Sequence, residues 1–186
     1  MTTTTTLRFA PLLLAAALGL AGCKDAGTPA GASSSTNGAT AGKSAAPVSL
    51  DTIAAQAQGF SVGPAMSARV VYVFFDAQCP HCAALWDAAR PLKNQARFVW
   101  IPVRLLNDAS LAQGATLLGA ADPVAAMDQH EASMRDKRGG ITAASVTDAH
   151  KDAIKRNTEL FNRYGFGSVP TLVTKSQAGA VVTQEG

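Results

Sequence analysis

The chain has 186 residues, 47% of them hydrophobic and 16% charged, with a formal net charge of +3. That length holds one globular domain plus a tail, and the apolar fraction excludes a wholly disordered chain. The mild, dispersed charge, with no run of three Lys or Arg and no Gly-rich phosphate loop, excludes nucleic-acid and nucleotide chemistry. Three cysteines, Cys23, Cys79 and Cys82, are too few for a small fold stapled by disulfides.

Residues 1–22 read as an export signal. Arg8 supplies the positive charge, and the apolar stretch from Phe9 to Ala21 is about 13 residues, short of the roughly 20 that span a bilayer. Leu20-Ala21-Gly22-Cys23 resembles the bacterial lipobox, which implies that Cys23 is lipidated and becomes the first residue of the mature chain. The other reading is an ordinary signal peptide cut nearby, which leaves Cys23 as a stray thiol, a liability in an oxidising compartment. Lys24 behind that cysteine points to the outer membrane. Residues 23–47 are then the lipidated Cys and a Gly/Ala/Ser/Thr-rich tether. Its composition cannot bury enough surface to offset ordering, and as a coil it reaches about 25–30 Å. Residues 48–186 are the folded domain.

In that domain, Leu50, Ile53, Ala54 and Ala57 have helical spacing, stopped by Gly59. Residues 69–75, rich in β-branched and aromatic side chains, predict a strand buried on both faces. A helix follows from about Cys82 until Pro91 kinks or ends it, and residues 96–103 predict a second strand. Helices are expected from Asp108 or Ser110 to near Gly119, from Asp122-Pro123 onwards, and from about Val146 to Tyr164, closed by Gly165. Gly139-Gly140 breaks the pattern between the last two. Residues 169–174 and 180–183 predict a strand hairpin, giving the order β–α–β–helices–β–β.

The chemistry concentrates at Cys79-Pro80-His81-Cys82. Two residues between cysteines at a helix start let the sulfurs reach disulfide distance, and the positive end of the helix favours a thiolate. Cys79, at the mouth, is the expected nucleophile and Cys82 the resolving thiol tucked beneath it. Pro80 holds the turn, and His81 donates a hydrogen bond or a charge beside the Cys79 sulfur. Both tune the couple: a stabilised thiolate stabilises the reduced form and makes the disulfide more oxidising. A CxxC can also be half of a zinc site, but four ligands are needed. No second CxxC or HxxxH exists, and His130 and His150 lie in polar helical contexts and read as solvated surface residues. No resident metal or cofactor is expected. Val169-Pro170, opening a strand after Gly165-Phe-Gly-Ser168, fits a cis bond facing the cysteines, with Val169 able to pair its backbone with an extended substrate.

With these residues in place, the chain resembles the thioredoxin-fold proteins of the bacterial periplasmic Dsb group over residues 69–183. The segment VYVFFDAQCPHCAALWDAARPL is similar to the catalytic domain of the DsbC/DsbG proteins, with Asp76, Trp86 and Pro91 in matching places, whereas CPHC and Val169-Pro170 are DsbA-like. The resemblance implies an α/β fold with a thioredoxin-like central sheet, an inserted helical segment and, since the sequence stops after the hairpin, no C-terminal helix. It implies thiol-disulfide exchange with exported cysteine-containing proteins and a membrane redox partner, in a periplasm-facing protein held by its lipid. Three departures stand out. The N-terminal dimerisation domain of DsbC and DsbG has no counterpart, which argues against isomerase activity. The fold usually adds a closing helix after the hairpin, where this sequence stops, so that either the lead-in helix compensates or the chain is truncated. Val73 stands where thioredoxin and DsbA keep a buried acid, leaving Asp76 as the nearby group for proton transfer to Cys82, its other role being a turn cap. A competing reading is a lipoprotein that carries copper or another soft metal on the same cysteines and a histidine; a third is an inactive scaffold.

Overall fold

Strand β2, Val70–Asp76, forms the middle of the fold because it has no charged side chain before its last residue. Residues 73 to 76 are wholly buried. The computed structural model describes residues 45–144 and 147–186; the expected export signal, Cys23, most of the tether and Val146 lie outside them. The elements run α1 Leu50–Gln56, β1 Phe60–Val62, β2, α2 Pro80–Ala89, a short 3-10 turn Arg90–Leu92, β3 Arg97–Val103, α3 Asp108–Gly119, α4 Pro123–Arg135, α5 Asp148–Arg163, β4 Thr171–Lys175 and β5 Val181–Glu185. The sheet order is β1-β3-β2-β4-β5. Only β2 and β3 are parallel, with Val73 opposite Trp100, and α2 makes the crossover between them. β4 lies antiparallel on the other side of β2, and β5 closes the hairpin.

The expected α/β order holds, and α3, α4 and α5 are the helical insertion between β3 and β4. One strand was not anticipated. β1, placed by sequence in the lead-in, pairs antiparallel with β3. It has three residues, too few for an alternation to register. Gly59 admits it: a Cβ there would stand 2.3 Å from the Trp100 carbonyl oxygen. α2 starts two residues earlier than expected, with Pro80 at its first position and Cys79 as N-cap. β5 is the last element, and all five of its residues are exposed.

Alternation along β2 divides the core. Phe75 packs toward α2 with Phe60, Trp86 and Trp100, the two indoles standing 4.9 Å apart. Phe74 packs on the opposite face with Phe161 and Phe166. Edge-to-face pairs of this kind contribute about 0.5–1.5 kcal/mol each beyond their buried area. The strand end that carries the functional loop is therefore clamped from both faces. Asn157 of α5 adds a polar tie: its amide nitrogen donates to the Gln58 and Pro102 carbonyls and its oxygen accepts from Gln58 N–H.

Candidate active site

The loop between β2 and α2 is built by Asp76. One carboxylate oxygen accepts from Gln78 N–H at 2.8 Å. The other accepts from Leu105 N–H at 2.7 Å and Leu106 N–H at 3.0 Å. Asp76 is fully buried, and both its oxygens are engaged by backbone donors, so it clamps the site loop to the β3–α3 connection and acts as a turn cap. Its backbone carbonyl receives Cys79 N–H at 3.0 Å.

Cys79 then caps α2 in extended conformation, with no side chain closing the helix end. The first-turn backbone groups that act on its sulfur are those of His81 and Cys82. Cys79 and Cys82 are both free, with no disulfide between them. The Cys79 thiol is pulled down to about 6, mainly by the hydrogen bond that the Cys82 thiol donates to it. The backbone N–H groups of Cys82 and His81 and the His81 charge act the same way, against the opposing effect of burial. The same hydrogen bond, together with burial and the Cys79 charge, pushes the Cys82 thiol strongly upward. One sulfur is a thiolate at neutral pH and the other keeps its proton. The sequence placed Cys79 openly at the mouth; in the structure it retains 5% of its surface and Cys82 none. His81 and Pro80 are exposed beside it.

Val169-Pro170 is cis and faces the cysteines: the Cys79 thiol lies 3.4 Å from the Val169 carbonyl. A groove of about 620 Å³ runs past the sulfur, bordered by His81, Leu105, Leu106, Phe166 and Ser168 among others. Glu185 of β5 steadies its far wall, accepting from Gly167 N–H at 2.8 Å and Ser168 N–H at 3.1 Å.

The insertion reaches the site from the opposite side. His130, expected on the surface, is fully buried. Its Nδ1 accepts from Ile141 N–H at 3.2 Å, so its Nε2 carries the hydrogen that is donated to the Ala77 carbonyl at 2.6 Å. Burial pushes its pKa down, in keeping with a neutral ring. Gly140, at φ +90°, lets the loop close on that ring, since a Cβ there would meet His130 at 2.4 Å. Beside it, Glu131 is 1% exposed, and burial pushes its carboxyl up to about 8. Sequence reasoning missed both residues because Asp128-Gln-His-Glu131 reads as a solvated helix face. His150 is half-buried and pairs with Thr147 at 3.1 Å. Among the described residues no three His, Cys, Asp or Glu side chains are grouped to hold a metal ion. Cys23 lies outside the described residues.

The sequence matches the thioredoxin-like domain family over residues 61–186. It is 30% identical over 127 residues to the thiol:disulfide interchange protein DsbG of Pseudomonas aeruginosa, covering 67% of this chain and 49% of that protein. The chain thus spans about half the length of the curated relatives it matches. Among solved structures it is similar to Pseudomonas aeruginosa DsbA2, with TM-score 0.56 and 19% identity over 68% of this chain and 85% of that one. It is also similar to the catalytic domain of Proteus mirabilis ScsC, with TM-score 0.54 and 18% identity over 71% and 88% of the two chains. At these identities the structural likeness is one of fold.

Proposed function

The chain belongs to the thioredoxin-like domain family, and from that premise we propose that it is a thiol:disulfide oxidoreductase acting on exported cysteine-containing proteins through Cys79 and Cys82. The observation that carries this reading is the division of labour between the sulfurs: a thiolate at the N-cap of α2 beside a buried, protonated thiol.

The Cys79 thiolate attacks a substrate disulfide, forming the Cys79–substrate bond and expelling the substrate's other sulfur as a thiolate. Cys82 then attacks Cys79, closing the intramolecular disulfide and releasing the second substrate sulfur. Run backwards, the same steps donate a disulfide. The stabilised Cys79 thiolate favours the reduced form and hence the donating direction, with Pro80 and His81 tuning it. The groove beside Val169-Pro170 supports recognition of an extended segment, with Val169 and Pro170 as its substrate-binding residues. Lipidation at Cys23, display towards the periplasm and recharging by a membrane redox partner complete the reading.

Cys79→Ser abolishes exchange, whereas Cys82→Ser accumulates mixed disulfides with substrates, both read on non-reducing gels. Full exchange activity in Cys79→Ser overturns the assignment. Alkylation trapping in living cells reads the direction: a pair held mostly as disulfide is a donor, and a pair held mostly as dithiol is a reductase or isomerase fed by the membrane.

A further inference from the structure

Resolution of the mixed disulfide requires the Cys82 thiol to lose its proton, yet burial disfavours the thiolate that must form. Bulk water does not reach it, since Cys82 is 0% exposed. Asp76 is unsuited to take the proton, because backbone N–H groups occupy both of its oxygens. The other buried carboxyl is Glu131, and among the described residues its Oε2 is one of two buried side-chain polar atoms with no hydrogen-bond partner. Leaving such an atom unpaired is costly, so its presence wants a reason.

Its place in the fold supplies one. α4 lies along α2, joined by Trp86 Nε1–H to Asp128 at 2.8 Å and by Arg135 to Asp87 at 2.6 Å. Glu131 is one turn from each of Asp128 and Arg135, on the stripe of α4 that meets α2. The preceding residue, His130, is fastened to Ala77, two residues before Cys79. Glu131 and the sulfurs feel one another's charge.

We propose that Glu131 is the proton acceptor and donor for Cys82, a role that deepens the oxidoreductase reading and rests on it. When the mixed disulfide resolves, the Cys82 S–H bond breaks and its proton passes to the Glu131 carboxylate. The Cys82 sulfur bonds Cys79, and the substrate sulfur leaves with the electron pair of the broken disulfide and takes a proton from solvent. In the donating direction the substrate thiolate attacks Cys79, Cys82 leaves as a thiolate, and Glu131 returns the proton. Its elevated affinity for protons, about 8, suits both directions near neutral pH. The groups facing it are Cys79, Cys82 and Asp87 from α2, the last tied to Arg90 and Arg135. On α4 they are Asp128, neutral His130 and Arg135, and Asp76 stands at the end of β2.

The test uses the reduced full-length protein and the small disulfide DTNB. Cys79 attack releases one coloured thiolate, and Cys82 attack on the resulting mixed disulfide releases a second. Glu131→Gln keeps the first phase and slows the second by about 100-fold at pH 7. The variant also loses the rise of the second phase through pH about 8, and Glu131→Asp restores part of both. A second phase of unchanged rate and pH profile in Glu131→Gln overturns the proposal. Loss of the first phase in the unmutated protein overturns the oxidoreductase reading instead. A readout independent of the variant's folding is carbon NMR of the three glutamate carboxyls, Glu131, Glu159 and Glu185. One of them titrates near 8 in the reduced protein and moves when Cys82 is locked in the disulfide; three ordinary titrations, or one that ignores the redox state, overturn the proposal.

Discussion

At the level of single residues, the two cysteines differ because their surroundings differ, not their chemistry. Cys79 collects a thiol hydrogen bond, two backbone N–H groups and the His81 charge. A thiol brought from 9.0 to about 6 favours the reduced protein at pH 7 by about 1.4 kcal/mol, or ~30 mV for a two-electron couple. The rate of iodoacetamide trapping of Cys79 should therefore rise with a midpoint near pH 6. Cys82→Ala raises that midpoint more than His81→Ala does, since the thiol hydrogen bond is the larger cause. Equal shifts would mean that the His81 charge matters as much as the Cys82 thiol. The juxtaposition of Cys79, Pro80, His81 and Cys82 at a helix start was legible in sequence because the four residues are adjacent. Glu131 was not, because it lies 49 positions further along the chain than Cys82 and only the packing of α4 on α2 brings it near the cysteines.

At the level of elements, α2 is held at both ends by partners distant in sequence. Trp86 and Arg90 bind Asp128, and Asp76 ties the loop before α2 to Leu105 and Leu106. Asp76→Ala leaves three backbone N–H groups without their acceptor and should cost about 3 kcal/mol in urea unfolding; a cost below about 1 kcal/mol would show that water replaces the carboxylate. Sequence patterns found the helices whose ends carry their own signals, such as Asp122 capping α4 through Val124 and Ala125 N–H. They did not find β1, which exists because β3 offers it an edge. His130 was misplaced for the related reason that helical patterning separates apolar from polar faces. A polar residue buried to make a specific hydrogen bond looks the same in sequence as one in water.

At the level of the whole molecule, two neighbouring buried groups give stability a pH dependence of opposite sign. Glu131, with a folded-state pKa of about 8 against 4.5, keeps its proton while the unfolded chain loses it. Its contribution therefore falls as pH rises from 4.5 and levels off above about 8. His130 stays neutral in the fold while the unfolded chain gains a proton below 6.5, so its contribution falls as pH drops through that value. Between about 6.5 and 8 the glutamate acts alone of the two. In the disulfide form, where Cys79 no longer titrates, Glu131→Gln should stabilise the protein by a few kcal/mol at pH 8 and by much less at pH 5. Thermal unfolding at the two pH values checks this, and a stabilisation independent of pH would place the effect in packing.

The covered sulfur has a consequence in time. With 5% of Cys79 open and the groove wall held by Glu185, the sulfur is approached along the groove that Leu106 and Ser168 border. On the proposed activity, a cysteine on an extended, unpacked stretch of chain suits that approach and one held inside a finished fold does not, so exchange would favour partners that have not yet packed.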